Sequence, residues 1–228
     1  MRKIVTAAFV SLDGVMQAPG GPDEDPTGGF EHGGWLAPLW DDVTATAVDK
    51  LFSTPFDLLL GRRTYDIFAA YWPHVATDPK ALGYDEGNAT ISKRFDMATK
   101  YVATHRPESL AWGRSRSLGD DVVGALREIK RGDGPKLLTQ GSSVLIQTLL
   151  ANDLIDEMHV LTFPVTLGRG KRLFADGARP ATFELVKSTT SPRGAVITVY
   201  QRAGKVETGS FVQDKPSAAE LERRKHLE

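Results

Sequence analysis

Short apolar runs recur along the chain in the pattern of a buried sheet. They are rich in β-branched residues and show little alternation of apolar and polar positions, which is typical of parallel strands covered on both faces. A stretch with helical periodicity lies between each run and the next. We therefore predict an α/β protein with a mostly parallel central sheet. The runs lie at residues 4–10, 56–60, 100–103, 137–138 and 155–165.

Apolar residues at helical spacing predict helices between these strands, on both faces of the sheet. The first helix begins at Asp41 and Asp42, where acidic side chains favour the positive end of the helix dipole. Residues 109–112 are expected to form a short fourth strand. The helical stretches cover residues 42–52, 65–72, 91–97, 120–130 and 144–150.

The last apolar segments have the pattern of a hairpin. Two β-like runs, at 182–189 and 195–202, are joined by residues 191–194, whose Pro and Gly are a turn signal. This predicts an antiparallel edge on the otherwise parallel sheet. We assign residues 1–202 to one domain and residues 203–228 to a polar tail, whose last part has the composition of a charged helix.

The composition is that of an ordinary soluble globular protein, and it excludes several kinds of site. Of the 228 residues, 41% are hydrophobic and 25% are charged, and the net charge of −1 gives no general attraction to nucleic acid or membranes. No apolar run approaches the roughly 20 residues of a transmembrane helix. The absence of cysteine excludes disulfides and thiolate metal sites, and the five histidines lack metal-ligand spacing, so no metal site is predicted. Cytoplasmic localisation is expected.

Two glycine-containing turns are candidate phosphate sites. Each aims unpaired N–H groups and the positive end of a helix dipole at one point, and glycine permits close approach of a ligand. The hydroxyls of Ser142 or Ser143, and of Thr64, are expected to cap the helices that follow. The alternative is an ordinary strand–turn–helix unit, because the full G-x-G-x-x-G and P-loop patterns are absent. The turns are Gly61-Arg62-Arg63-Thr64 and Gly141-Ser142-Ser143.

Three motifs, taken together, resemble those of the dihydrofolate reductase-like family. Residues 11–14 (Ser-Leu-Asp-Gly) follow the first strand, and residues 61–65 (Gly-Arg-Arg-Thr-Tyr) follow the second. Residues 141–174 connect Gly-Ser-Ser with a Pro-Val-Thr-Leu-Gly-Arg-Gly-Lys-Arg-Leu-Phe run. Their order is similar to that in the C-terminal reductase domain of bacterial bifunctional riboflavin-biosynthesis proteins. Relatives usually carry Gly-Gly before the serine, whereas Gln140 replaces the first glycine here.

The resemblance implies NADPH as the cofactor. The two turns would hold its phosphates, while Thr104 and Arg106, at the end of the third strand, would hold the adenosine 2′-phosphate together with Arg62. Arginine suits that role because its fork of donors matches a phosphate. The implied cofactor contacts are Ala8, Gly61, Arg62, Arg63, Thr64, Thr104, Arg106, Gly141, Ser142 and Ser143.

The resemblance also implies a reaction. A nicotinamide carries the difficult chemistry, so the protein needs to position the ring and supply one proton. Asp42, or alternatively Asp41 or Asp49, matches the family's proton-relaying carboxylate. The Gly- and Pro-rich loop at residues 17–34 would be a lid over the nicotinamide.

The function implied is an NADPH-dependent reductase of a small heterocyclic substrate, in the pterin or ribosylamino-pyrimidinone class. Two alternatives stay open: a reductase of an unrelated substrate, and a nucleotide-binding module without turnover. The deaminase half of the bifunctional proteins is not expected, because its zinc site requires cysteines. The family tendency and the apolar-rich hairpin favour a homodimer.

Overall fold

The computed structural model describes residues 1–174, 176, 178–211 and 215–226. Within this part of the chain the strands form one eight-stranded sheet, in the order β4-β3-β2-β5-β1-β6-β8-β7. All pairings from β4 to β6 are parallel, and β8 runs antiparallel to both β6 and β7. The strands are β1 (Ile4–Ser11), β2 (Phe56–Gly61), β3 (Lys100–Ala103), β4 (Ser115–Ser117), β5 (Lys136–Gln140), β6 (Glu157–Phe163), β7 (Thr182–Thr190) and β8 (Val196–Gly204).

Helices cover both faces of this sheet. One core cluster lies beneath α1, α2 and α3, and the other lies beneath α4 and α5. The consecutive residues Leu58, Leu59 and Leu60 are all fully buried, because β2 lies inside the sheet with a core cluster on each side. The helices are α1 (Asp42–Phe52), α2 (Arg62–Tyr71), α3 (Glu86–Met97), α4 (Val122–Arg131), α5 (Ser143–Ala151) and α6 (Ala218–Arg224).

The predicted fold class is confirmed, including the antiparallel hairpin at the C-terminal edge. The hairpin strands match the two β-like runs to within two residues at each end. In the tail, α6 begins after Ser217, whose hydroxyl accepts from the Glu220 N–H. The tail helix expected over 217–227 is therefore present in shorter form, and Leu227 lies outside the described residues.

The predicted strand at residues 109–112 is wrong. A 3-10 turn occupies Pro107–Ser109, and the strand that pairs with β3 is β4, a few residues later. Trp112 is buried by tertiary contacts. Its backbone N–H donates to the Tyr65 hydroxyl, and the centre of its ring lies 4.3 Å from the Lys100 ammonium. The apolar residues at 109–112 predict a strand because buried strands are apolar. Here the segment is irregular, and its burial comes from tertiary packing.

Candidate active site

The turns after β2 and β5 meet at the carboxyl edge of the sheet, because these two parallel strands are neighbours. The two turns are in contact: a Cβ added at Gly61 would lie 3.5 Å from the Ser142 side chain, at van der Waals distance. Gly141 and Ser142 both have positive φ, 75° and 60°. For a serine this is a sparsely populated conformation, which tertiary contacts have to hold in place.

Two reciprocal hydrogen bonds join the turns. The Ser142 hydroxyl accepts from the Gly61 N–H at 2.9 Å, and the Ser142 N–H donates to the Thr64 hydroxyl at 3.0 Å. Ser142 is the N-cap residue of α5, as expected, but its hydroxyl makes no capping hydrogen bond, and the expected capping role of Thr64 is wrong because Gly61 is the N-cap of α2. Each hydroxyl bonds across to the other turn, and Thr64 lies inside the first turn of α2.

The helices that start at these turns begin without a side-chain cap. Gly61 precedes α2 and Ser142 precedes α5, and neither supplies a capping hydrogen bond. The first N–H groups of a helix have no partner within the helix itself, and the dipole adds positive potential there. Side chains cap the other helices of the described chain, namely α1, α3, α4 and α6. The pair of uncapped N-termini is thus the arrangement that suits an anionic ligand.

An open cleft of about 450 Å³, here called the arginine cleft, lies beside the α2 N-terminus. Three basic and three acidic side chains line it, so its formal charges balance. Lining residues also come from the loop after β1, which brings the predicted lid to this cleft. The charged residues are Arg62, Arg63, Arg106, Glu24, Asp25 and Asp66.

Arg62 and Arg106 differ sharply within the arginine cleft. Nε and Nη2 of Arg62 meet the two carboxylate oxygens of Asp66 at 3.0 and 2.7 Å. Nη1 of Arg62 donates to the Ser109 hydroxyl at 2.6 Å and to the Arg106 carbonyl at 3.2 Å. The Asp66 carboxylate raises the pKa of Arg62. Arg62 thus positions the segment after β3, and most of its donors are engaged.

The Arg106 side chain is 64% exposed, and its guanidinium comes no nearer to Asp66 than 4.0 Å. Its backbone N–H donates to the Thr104 hydroxyl at 3.0 Å, which fixes the start of the turn after β3. Thr104 itself is buried. Of the two arginines predicted to meet the 2′-phosphate, Arg106 is therefore the one with a guanidinium available to a ligand.

Asp25 connects the loop at residues 17–34 to the arginine cleft. Its carboxylate pairs with Lys171 and with Arg63, the latter at 3.1 Å, and accepts from the Thr27 hydroxyl at 2.6 Å. Burial raises the pKa of Asp25, but the bonds from Lys171 and Thr27 outweigh it, so the pKa lies below its ordinary value. Burial raises the pKa of its neighbour Glu24. The loop is packed against the core, since Phe30 within it and Trp35 at its end are both buried.

Asp13, in the motif after β1, binds the segment after β6. Its carboxylate accepts from the Ser11 hydroxyl at 2.6 Å and from the N–H groups of Leu167 and Gly168 at 3.0 and 2.7 Å. Led by the Ser11 bond, these interactions lower the pKa of Asp13 to about 2. Two of the three sequence motifs therefore hold each other in place through one carboxylate.

The acids of α1 lie in distinct environments. Asp41 is the N-cap and accepts from the N–H and hydroxyl of Thr44 and from the N–H of Arg193 in the hairpin turn. Led by the Thr44 bond, these interactions lower the pKa of Asp41. Asp42 and Asp49 are exposed on the helix. Asp42 lies two positions after Trp40. The Trp40 ring contacts Phe9 of β1 edge-on, with 5.9 Å between the ring centroids.

The remaining predicted contacts fall in two groups. Ala8 lies within β1, opposite Val160, and its side chain is buried in the core cluster of α4 and α5. The predicted contact of Ala8 with the cofactor therefore stays a prediction. Arg63 and Ser143 lie in the first turns of α2 and α5, at the candidate site.

Sequence reasoning missed three residues of this region: Asp25, Asp66 and Lys171. The spacing of Asp66 from Arg62, i to i+4 on a helix, is a signal that was available in the sequence. The pairing of Asp25 with Lys171 spans 146 positions and has no local signal. Within the described residues, no cluster of three His, Asp or Glu side chains has metal-binding geometry, and no helix has the length and apolarity to cross a membrane.

Comparison with known proteins identifies the family. The model of the RibD C-terminal domain family matches residues 2–197. The chain belongs to this family. Its fold is of the reductase type, in agreement with the resemblance seen in the three motifs.

Individual proteins similar to this chain agree with the family assignment. A Bacillus subtilis (strain 168) protein, named "Uncharacterized protein YyaP", is 25% identical over 208 residues, which are 89% of this chain and 96% of the relative. Among solved structures, the Thermotoga maritima diaminohydroxyphosphoribosylaminopyrimidine deaminase/5-amino-6-(5-phosphoribosylamino)uracil reductase is 15% identical. Its TM-score is 0.55, and the match covers 89% of this chain and 57% of that one.

Dihydrofolate reductase from Enterococcus faecalis, solved with NADP(H) and the compound RAB-propyl, has the same fold. It is 13% identical with a TM-score of 0.51, and the match covers 88% of this chain and 96% of that one. The dihydrofolate reductase-like architecture predicted from the motifs is thus confirmed for the RibD C-terminal domain chain.

Proposed function

We propose that the protein is an NADPH-dependent reductase that transfers hydride to a small heterocyclic substrate. The observation that carries this proposal is the pair of adjacent uncapped helix N-termini, α2 and α5, beside the exposed guanidinium of Arg106. An anionic dinucleotide needs such N–H groups for its diphosphate and a cation for its 2′-phosphate. The family supports the same reaction class.

The residues present fit this cofactor. Gly141 has a φ of 75°, a conformation that favours glycine, and neither Gly61 nor Gly141 places a side chain between the backbone of its turn and a ligand. The first-turn N–H groups of both helices would bind phosphate oxygens, and Arg106 would bind the 2′-phosphate. When bound, the nicotinamide supplies the hydride.

For the substrate, we propose a planar ring of the pterin or ribosylamino-pyrimidinone class. Phe9 and Trp40 contact each other near the carboxyl end of β1, and Trp40 is 36% exposed, which offers an aromatic surface to such a ring. The names of the Thermotoga and Enterococcus neighbours point to the same classes of substrate.

Asp42 is our candidate for the proton-relaying group. Asp41 is committed to the Thr44 and Arg193 bonds, which stabilise its ionised form. Asp42 lies one residue further along, in the first turn of α1, and its side chain is exposed. A carboxyl group at that position would deliver a proton from solvent to the reduced ring, after which solvent would reprotonate it.

The test is NADPH oxidation with a panel of pterins and ribosylamino-pyrimidinones, paired with a direct titration of NADPH binding. Turnover of one of these substrates supports the proposal. NADPH binding without turnover of any substrate supports the second candidate, a nucleotide-binding module. Lack of NADPH binding in the titration would remove the basis of both.

We also propose a homodimer that uses the β7–β8 hairpin. Nearly every side chain of β7 is exposed, and Leu185, Val186 and Val196 are 52%, 52% and 42% exposed. An exposed apolar edge strand favours pairing with another chain. Light scattering at micromolar concentration should give twice the chain mass, and a monomer mass would contradict the proposal.

A further inference from the structure

The arginine cleft contains a carboxylate whose position conflicts with phosphate binding. Asp66 projects from the first turns of α2 and meets Arg62 through both carboxylate oxygens, at 2.7 and 3.0 Å. Its Oδ2 also lies 4.0 Å from the guanidinium of Arg106. One carboxylate therefore faces both arginines that were predicted to meet the 2′-phosphate.

Asp66 is one of two sets of partners around the Arg62 guanidinium. Arg62 is already held by its Nη1 donor to the Ser109 hydroxyl at 2.6 Å and to the Arg106 carbonyl at 3.2 Å. Asp66 occupies the other side of the guanidinium, the Nε and Nη2 fork, which is the side that binds a phosphate in bidentate fashion. Asp66 is 46% exposed and lines the cleft, so its charge acts on any ligand there.

We propose that Asp66 is a specificity-determining residue of the cofactor site, a carboxylate that weakens binding of the 2′-phosphate. This inference rests on the proposed NADPH-dependent function. The 2′-phosphate carries about two negative charges, and a carboxylate a few ångströms away repels it. NADH carries a ribose hydroxyl at that position, so the repulsion acts on NADPH and not on NADH.

The physical consequence is a moderate affinity for NADPH. Arg106 attracts the phosphate while Asp66 opposes it and occupies the fork of Arg62. Removal of the carboxylate would both end the repulsion and release the fork. One unit charge close to a dianion in a solvated cleft changes affinity by about tenfold.

The experiment compares wild type with Asp66→Asn by isothermal titration calorimetry. The probes are NADPH and 2′,5′-ADP, each matched with its counterpart lacking the 2′-phosphate, NADH and 5′-ADP. We expect Asp66→Asn to bind NADPH and 2′,5′-ADP about tenfold more tightly, with NADH and 5′-ADP changed by less than about twofold. Asp66→Glu retains the charge and should behave like wild type.

Glu128→Gln is the matched control. Glu128 pairs with Arg131 on α4, the helix that covers the other core cluster, and its replacement changes the net charge equally without touching the cleft. Its affinities should equal those of wild type. A gain in Glu128→Gln equal to that in Asp66→Asn would overturn the proposal, because net charge would then explain the effect.

Two failures are distinguishable. If wild type prefers NADPH over NADH but Asp66→Asn binds NADPH equally or more weakly, then Asp66 orients Arg62 and the inference is wrong while the proposed function stands. If wild type does not bind NADPH, or binds NADPH and NADH with equal affinity, then the proposed cofactor choice fails, and the inference fails with it.

Discussion

Two regions at the carboxyl edge of the sheet differ in how far their polar and charged groups are already hydrogen-bonded within the protein. The phosphate region, formed by the turns after β2, β3 and β5, leaves two helix N-termini uncapped and the Arg106 guanidinium exposed. In the β1 region, formed by residues 11–14 and the start of α1, the carboxylates are engaged within the protein: Asp13 and Asp41 each accept at least three hydrogen bonds. The first region keeps binding capacity for a ligand, whereas the second uses charge to hold loops together.

The contrast separates structural carboxylates from candidate functional ones. Hydrogen bonds to the ionised form lower the pKa values of Asp13 and Asp41, so neither acid donates protons near neutral pH. Asp42 is the acid at the start of α1 that lies exposed. The predictions below test this division, beginning with the largest effect.

Asp42→Asn should abolish most of the turnover and leave cofactor binding intact. Because loss of a general acid costs about 100-fold or more in rate, kcat for the reduced substrate should fall by at least that factor. The measurement is steady-state NADPH oxidation with a parallel binding titration. Asp49→Asn, on the same helix and also exposed, is the control, and a full rate in Asp42→Asn would show that the proton comes from elsewhere.

Arg106→Ala should weaken NADPH binding about 10- to 150-fold, since charged hydrogen bonds contribute about 1.5–3 kcal/mol and about 1.4 kcal/mol is a factor of ten. NADH binding should barely change. Titration of both cofactors against both proteins tests this. An equal loss for NADH and NADPH would mean that Arg106 is not the 2′-phosphate ligand.

Cofactor binding should slow hydrogen exchange in residues 17–34. Asp25 and Arg63 join this loop to the phosphate region, so we expect a ligand in the cleft to stabilise the packed conformation of the loop. If exchange requires release of the cofactor, a concentration of about ten times Kd slows it about tenfold. The 73–85 segment is an internal control that should not change, and equal exchange of the 17–34 loop with and without NADPH would contradict its role as a lid.

Asp13→Asn should destabilise the fold in a pH-dependent manner. The pKa of Asp13 is about 2 in the folded protein, below the ordinary 3.8. The stabilisation is therefore fully present above pH 3.8 and is lost as the pH falls through about 2. After allowance for solvent screening it amounts to about 1 kcal/mol. Urea unfolding of both proteins should therefore differ by that amount at neutral pH and converge in acid. A constant difference at every pH would point to packing instead of charge.

Much of the architecture followed from local patterns. Unalternating apolar runs identified the buried strands, and the Pro-Gly turn near residue 193 identified the antiparallel hairpin, because burial and turn chemistry act over a few residues. The expected strand at 109–112 failed because the Trp112 side chain is buried by Tyr65 and Lys100, which lie elsewhere in the chain.

The glycine turns and the arginines of the candidate site were likewise visible in the sequence, but their bonding was not. Ser142 bonds to Gly61 across 81 positions, and Asp25 bonds to Lys171 across 146. Such contacts depend on strand order, which places β5 between β2 and β1 although it follows both in the chain. The sequence by itself therefore determined which turns carry glycine and positive charge. Tertiary structure decided which of those charges is free for a ligand, because each donor is satisfied by whichever acceptor the fold brings within about 3 Å.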